Sequence, residues 1–290
     1  MKLNSRPGVE AVATKGFFQA YKWLLLRRLS QLSILGLFLL GPLAGVWLIK
    51  GNLASSLVLD TVPLTEPMLV MQMFAAGFIP LSTALWGALF VVAFYLVVGG
   101  RTYCSWVCPV NIVTDSAAWL RERLGIAASS SFPRNTRYWM LALVMLLAAV
   151  TGTMAYEVVN PVPMLHRGII FGIGLSWSVI IAIFLFDLFI ARKGWCGHIC
   201  PMGGLYGIIG KISPLRVRAD RREMCDDCME CFVVCPEPHV IKPALKGADM
   251  GNGPVITAGE CTNCGRCIDI CAEEVFNFGY RFNNQSKESS

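Results

Sequence analysis

The stretch Cys225-Asp-Asp-Cys228-Met-Glu-Cys231-Phe-Val-Val-Cys235-Pro236 and its echo Cys261-Thr-Asn-Cys264-Gly-Arg-Cys267-Ile-Asp-Ile-Cys271-Ala272 share one spacing, C-x2-C-x2-C-x3-C. Three cysteines set this closely wrap one [4Fe-4S] cubane, and in paired runs of this kind the fourth cysteine of each completes the other cluster. The expected ligand sets are Cys225, Cys228, Cys231 and Cys271 for one cluster, and Cys235, Cys261, Cys264 and Cys267 for the second. Structural zinc asks for four thiolates but not for three in close file. Two matched copies therefore point to iron and to electron transfer. Ala272 stands where the first run has Pro236; neither is a ligand, and the reading is unchanged.

The other four of the twelve cysteines form Cys104-Ser-Trp-Val-Cys108-Pro109 and Cys196-Gly-His-Ile-Cys200-Pro201, so no cysteine lies outside a motif. Proline disfavours helix at the residue before it and suits the first turn of a helix after it. Each C-x3-C-P motif is expected to end one helix and begin another. After Pro109, Val110–Leu124 has an apolar face with Trp119 and Leu120 and a basic end at Arg121 and Arg123, the pattern of a helix lying on a membrane surface. Functionally, Cys104, Cys108, Cys196 and Cys200 suit a third redox or metal site, or thiols that carry electrons themselves, with His198 at hand. The plain alternative is buried, reduced cysteines that pack as small apolar residues.

Only 15% of the 290 residues are charged, against 55% hydrophobic. Soluble domains average about 25% charged, so the composition is that of an integral membrane protein. Four apolar runs approach the roughly 20 residues that cross a bilayer as helix: 30–49, 78–98, 138–156 and 168–191, the last carrying Asp187. The expected fold is membrane α-helical, with four transmembrane helices as two tandem helical hairpins and a C-terminal two-cluster α+β domain of the bacterial ferredoxin type. The expected divisions are a cytoplasmic segment 1–29, a membrane domain 30–219, the ferredoxin domain 220–280 and a flexible tail 281–290.

Lys and Arg set the orientation. Six of them precede the first run, five lie between the second and third, and Arg192, Lys193, Lys211, Arg216, Arg218, Arg221 and Arg222 follow the fourth. Residues 51–77 have none, and the connection between the third and fourth runs has only Arg167. Both termini and the middle loop are therefore expected in the cytoplasm, which puts every cysteine on the reducing side. The pair Arg27-Arg28 fits this rule better than an export signal, because no small-residue cleavage site follows it.

Cys104 and Cys196 are 92 residues apart, as are Cys108 and Cys200. The connecting loops echo each other in Val62-Pro63-Leu64 and Val162-Pro163-Met164. Two such units, each crossing twice, relate by a pseudo-two-fold along the membrane normal, which would bring both C-x3-C-P motifs together near the inner face. No C-x-x-C is followed by His, and no glycine-rich phosphate or dinucleotide loop occurs. Covalent haem and nucleotide chemistry are not expected, nor is nucleic-acid binding.

These features together resemble the NapH-type ferredoxin-like membrane proteins that accompany periplasmic nitrate reductases. The resemblance covers nearly the whole chain and includes Asp60-Thr-Val-Pro-Leu-Thr, Cys104-Ser-Trp-Val-Cys-Pro, Trp195-Cys-Gly-His-Ile-Cys-Pro and Cys235-Pro-Glu-Pro-His. Accessory proteins of methylamine dehydrogenase and of cytochrome oxidase assembly share the plan; the latter usually carry a further domain, whereas this chain ends at Ser290. The resemblance implies a quinol dehydrogenase component of the bacterial inner membrane. It would pass electrons from quinol through two [4Fe-4S] clusters, a peripheral iron–sulfur partner and a membrane-anchored c-type cytochrome toward nitrate reductase. Oxidising quinol also releases protons, for which Asp60, Glu66, His166 and Asp187 are the candidates, with Glu157 nearby in sequence. Asp187 is expected to pair with Arg192 and Lys193. Two other functions compete: a maturation factor whose C-x3-C-P thiols reduce a partner's metal or disulfide, and an anchor whose clusters only scaffold a partner.

Overall fold

The computed structural model describes residues 7–126, 130, 132–172 and 174–282, with Leu175 by its backbone alone. All but two residues of the expected tail 281–290 lie outside them. The chain forms two compact units.

One unit comprises Met1–Leu29, Tyr95–Trp106 and Tyr206–Ser290. It is larger than the expected ferredoxin domain because the N-terminal segment packs on the cysteine runs. Asp269, fully buried, accepts from the backbone N–H of Trp23 (2.9 Å) and Leu24 (3.0 Å), and Glu230 accepts from Gly8 (2.9 Å). Strands Leu215–Arg218 and Asn277–Tyr280 pair antiparallel, Leu215 opposite Tyr280 and Arg218 opposite Asn277. Short helices Glu230–Val234, Ile241–Lys246 and Arg266–Ile270 complete an α+β layer. Val217, Ile241, Leu245, Ile256, Ile270, Val275 and Phe276 form its core. That core is small, as expected of a domain that draws folding energy from bound metal.

The second unit comprises Ser30–Phe94 and Val107–Leu205. The helix Lys22–Ala44 enters it and is followed by a meander of three antiparallel strands, Ile49–Gly51, Ser55–Val58 and Val62–Thr65. Helices Pro67–Ala75 and Ser82–Val98 follow. After the surface helix Val110–Arg123 come Thr136–Thr151, Ala155–Val159, Pro161–Phe171 and Gly174–Leu185, the last running on as a π-helical stretch Phe186–Ile190. Helix Pro67–Ala75 packs on Thr136–Thr151, and Pro161–Phe171 packs on Gly174–Leu185.

Among the described residues one helix, Lys22–Ala44, is long and apolar enough by itself to cross a membrane; Ser82–Val98, Thr136–Thr151 and Ser176–Ile190 are shorter apolar helices. The expected uniform runs are broken. Apolar sequence at Val46–Ile49 leaves the helix and begins the meander, and apolar sequence after Thr151 folds into two further short helices. The expected echo of Val62-Pro63-Leu64 with Val162-Pro163-Met164 also fails, since the first is strand and the second helix. The structural counterparts are Glu66-Pro67 and Asn160-Pro161. Glu66 (φ −66°, ψ 127°) and Asn160 (φ −64°, ψ 113°) are extended N-caps, and each is followed by proline in the first helical turn.

Candidate electron-transfer site

Each cysteine run begins with a tight loop that turns its thiols inward. Asp227 and Met229 in the first run, and Asn263 and Gly265 in the second, are left-handed (φ 62°, 63°, 46° and 73°). Asp and Asn tolerate that region better than most residues. Gly265 is required for a second reason: a Cβ there would lie 2.5 Å from the Trp23 ring.

Two cavities result. One is lined by Cys225, Cys228, Cys231 and Cys271, with Ile270 and Phe276 closing its apolar side. The other is lined by Cys235, Cys261, Cys264 and Cys267, with Val240 and Ile256. In each, three cysteines come from one run and the fourth from the other. Burial pushes the Cys231 thiol up to about 12, and the Cys228, Cys271 and Cys225 thiols beside it add to the shift. Burial likewise raises Cys261 to about 11 and Cys267 well above its usual value, the latter beside Cys264, Cys235 and Cys261. Four such thiols give up their protons together only to a cation among them. Among the described residues no three His, Cys, Asp or Glu side chains converge tightly enough for a single metal ion. Three closely spaced cysteines of one run with one of the other are the donor set of a [4Fe-4S] cubane.

In the same unit, the turn Arg101–Trp106 is fastened to the loop of the second cavity. Arg101 donates to the Glu237 carboxylate (2.7 Å) and to the Glu260 carbonyl (2.9 Å). Ser105 Oγ donates to Thr262 O (2.7 Å), and Trp106 Nε1 to Asn263 O (3.1 Å). Asn263 Nδ2 returns bonds to Val98 O and Leu215 O, both at 3.0 Å. Cys104 therefore sits in a turn held rigidly beside Cys261–Cys264. Tyr103 stacks on Tyr206 (4.8 Å, 18°), with Tyr95 edge-on to both.

Cys108, Cys196 and Cys200 belong to the other unit. Gln31, buried, donates to Cys108 O (3.3 Å). Cys196 Sγ lies 3.8 Å from Thr114 Oγ1, and Cys200 is extended (φ −60°, ψ 115°) ahead of Pro201, as a residue before proline should be. Asp187 serves this segment as a cap: its Oδ1 accepts from Trp195 N (2.9 Å), next to Cys196. The expected ion pairs are different. Lys193 pairs with Asp115 (2.8 Å) and Arg192 with Glu122 (2.7 Å), both acids being on the surface helix. Arg121 is spent on the carbonyls of Asp187 and Leu188, which the π-helical stretch turns toward it.

The remaining proton candidates separate. Asp60 is an exposed turn residue (φ 56°) between two strands, paired with Lys50 at 2.7 Å. Glu66 and His166 are buried, each 4% exposed. Burial raises the Glu66 carboxyl well above its usual range, and the Glu157 carboxylate adds to the shift. Glu157 is raised by burial and partly restored by a bond from Asn160 (3.2 Å) and by Arg167. Burial, then Arg167, lowers His166. Gln72 and Tyr156, both buried, join this group: Tyr156 N donates to Gln72 Oε1 (3.1 Å). Sequence reading missed these two. Gln72 is an uncharged polar residue in a long apolar stretch, and that isolation was its one signal.

Two families of iron–sulfur proteins match the chain. The family described as "4Fe-4S binding domain" matches residues 73–127 and 173–220, one C-x3-C-P motif in each segment. The "4Fe-4S dicluster domain" family matches residues 216–272. The chain is 54% identical over 281 residues to the methylamine utilization ferredoxin-type protein MauN of Methylorubrum extorquens, covering 97% of both chains. It is 45% identical over 281 residues to the ferredoxin-type protein NapH of Escherichia coli, again covering 97% of both. The chain belongs to the NapH/MauN family of ferredoxin-type proteins. The Haemophilus influenzae NapH is 46% identical over 97% of each chain. No solved structure matches. As a NapH/MauN-type protein the chain is an iron–sulfur electron-transport protein, and its apolar helix Lys22–Ala44 fits a membrane-anchored member of that family.

Proposed function

We propose that this chain takes electrons from quinol in the bacterial inner membrane and passes them through two [4Fe-4S] clusters to partner proteins. Cys225, Cys228, Cys231 and Cys271 hold one cluster; Cys235, Cys261, Cys264 and Cys267 hold the other. When bound, each cluster supplies a one-electron carrier. The residues of this chain do the rest. Burial keeps water from Cys231, Cys264 and Cys267, and the crossed ligands tie the two cavities together. The observation that carries the reading is the hydrogen-bonded seam between Arg101–Trp106 and Glu260–Asn263, which fixes a C-x3-C-P turn against the loop of one cluster cavity. The C-x3-C-P cysteines Cys104, Cys108, Cys196 and Cys200 carry electrons or ligate iron in this reading. Both motifs lie within segments that match a 4Fe-4S binding family.

The chain crosses the membrane four times, with both termini in the cytoplasm. Besides the charge distribution, exposed apolar stripes support this. Trp86, Phe90, Phe94 and Val97 line one helix, and Trp139, Leu143, Leu146 and Val150 another. Soluble proteins seldom leave such patches uncovered. A 17-residue helix such as Ser82–Val98 rises about 25 Å, within the range that spans a bilayer core.

The nitrate reductase system, with a peripheral iron–sulfur partner and a membrane-anchored c-type cytochrome, is the electron destination that the NapH likeness favours. A second destination is favoured by the 54% and 51% identity to proteins named for methylamine utilization. Quinol-dependent electron flux in membranes containing the full system tests the proposal. Flux should fall sharply in Cys104→Ser and in Cys200→Ser. Undiminished flux in both would assign the C-x3-C-P motifs to packing.

A further inference from the structure

Four buried polar side chains in the second unit are incompletely satisfied. Among the described residues, both Glu66 carboxylate oxygens, Tyr156 Oη and His166 Nε2 are buried with no hydrogen-bond partner, while the Gln72 side chain donates to Glu157. Gln72 is fully buried, and Glu66, Tyr156 and His166 are 4% exposed. Folded proteins leave few such atoms, and a concentration of them marks a place that something else completes. Glu66, Gln72, Tyr156 and Glu157 belong together, and His166 stands on the helix that Asn160 begins. Tyr156 lies in the electrostatic field of Glu66, Glu157, Cys108 and Cys200, and its backbone N–H reaches Gln72. The Pro67–Ala75 and Pro161–Phe171 helices begin at Glu66 and Asn160, and Asn160 Nδ2 donates to Glu157.

The chemistry of the set is two-sided. Tyr156, Gln72 and His166 offer donors; Glu66 and Glu157 offer acceptors, and a carboxyl that carries its proton does both. A ligand met by such a set donates with its hydroxyls in one redox state and accepts with its carbonyls in the other. We infer that Glu66, Gln72, Tyr156 and His166, with Glu157, form the headgroup site for a hydroquinone and its quinone, beside Cys108 and Cys200. This rests on the quinol reading above and supplies the site that reading lacks. Phe38, edge-on to the His166 ring at 5.6 Å, gives one apolar wall. Asp60 and Asp187 lie outside the site: the first is an exposed turn and the second a cap.

The test is decylubiquinone binding to the full chain in detergent, by calorimetry, with iron content as the check on folding. Glu66→Gln, Tyr156→Phe and His166→Gln should each weaken binding about tenfold, while Asp60→Asn should not change it. If the unsubstituted chain fails to bind decylubiquinone, the quinol reading itself falls. If it binds and the three variants bind equally well, the quinol reading stands and this site is wrong. Photolabelling the unsubstituted chain with an azido-quinone is independent of any variant's folding. Label on the segments 66–72 or 154–167 supports the site, and label confined elsewhere overturns it.

Discussion

Arg101 and Glu237 form an ion pair at 2.7 Å with side chains only 2% and 5% exposed. Removing one partner of a buried pair strands the other's charge, at a cost of about 3–5 kcal/mol. Arg101→Ala should therefore lower the temperature at which the chain loses its iron–sulfur absorption. Combining Arg101→Met with Glu237→Leu should restore part of that loss, because no lone charge remains. A double variant no more stable than the single one would contradict the pairing. Glu66 gives a pH prediction. Burial, then Glu157, raises its folded pKa well above 4.5, so the folded chain holds a proton that the unfolded chain releases. The stability this contributes is whole below pH 4.5 and is lost as pH rises through the raised value. Between about pH 5 and about pH 8, the melting temperature should fall more steeply for the unsubstituted chain than for Glu66→Gln. Parallel slopes would contradict it. Glu66 stood out in the sequence as a proton candidate; Arg101 did not. Arg101 reads there as one more inside-positive charge, because its partner is 136 positions away.

At the scale of elements, the cysteine runs were the most legible part of the chain, since ligand spacing is local. The helix ends were the least. Helix Lys22–Ala44 stops at Gly45 (φ 71°), and Pro161–Phe171 stops at Gly172 (φ 65°), both in the left-handed conformation that commonly ends helices. Those glycines and the Asn160-Pro161 start were visible signals. They carry little weight inside apolar runs, because membrane helices tolerate Gly and Pro. The two short helices that begin at Glu66 and Asn160 went unread for that reason, and with them the group around Glu66. The crossing of the cysteine runs allows a decisive count. A chain with two cubanes holds about eight irons. If Cys271 serves the first cavity, Cys231→Ser with Cys271→Ser damages one cluster and leaves about four irons. If each run served its own cluster, the same pair of changes would damage both. Cys267→Ser with Cys271→Ser should do the opposite.

For the whole molecule, the proposed topology with both ends inside rests on composition and the Lys/Arg distribution, both read without any structure. They do not reveal that the N-terminal helices and the segment 95–106 pack into the same unit as the ferredoxin-like tail. That packing depends on pairs such as Trp23–Asp269 and Ser105–Thr262, which lie far apart in sequence. It attaches a C-x3-C-P turn to the loop of a cysteine run within that unit. The account's central claim is that quinol delivers electrons to the two clusters. The direct measurement is anaerobic electron paramagnetic resonance of the full chain in lipid, with its partners present, before and after adding quinol. The account predicts that the signal of reduced [4Fe-4S] clusters appears on quinol addition and is lost in Cys267→Ser with Cys271→Ser. Clusters that dithionite reduces but quinol never does would contradict it.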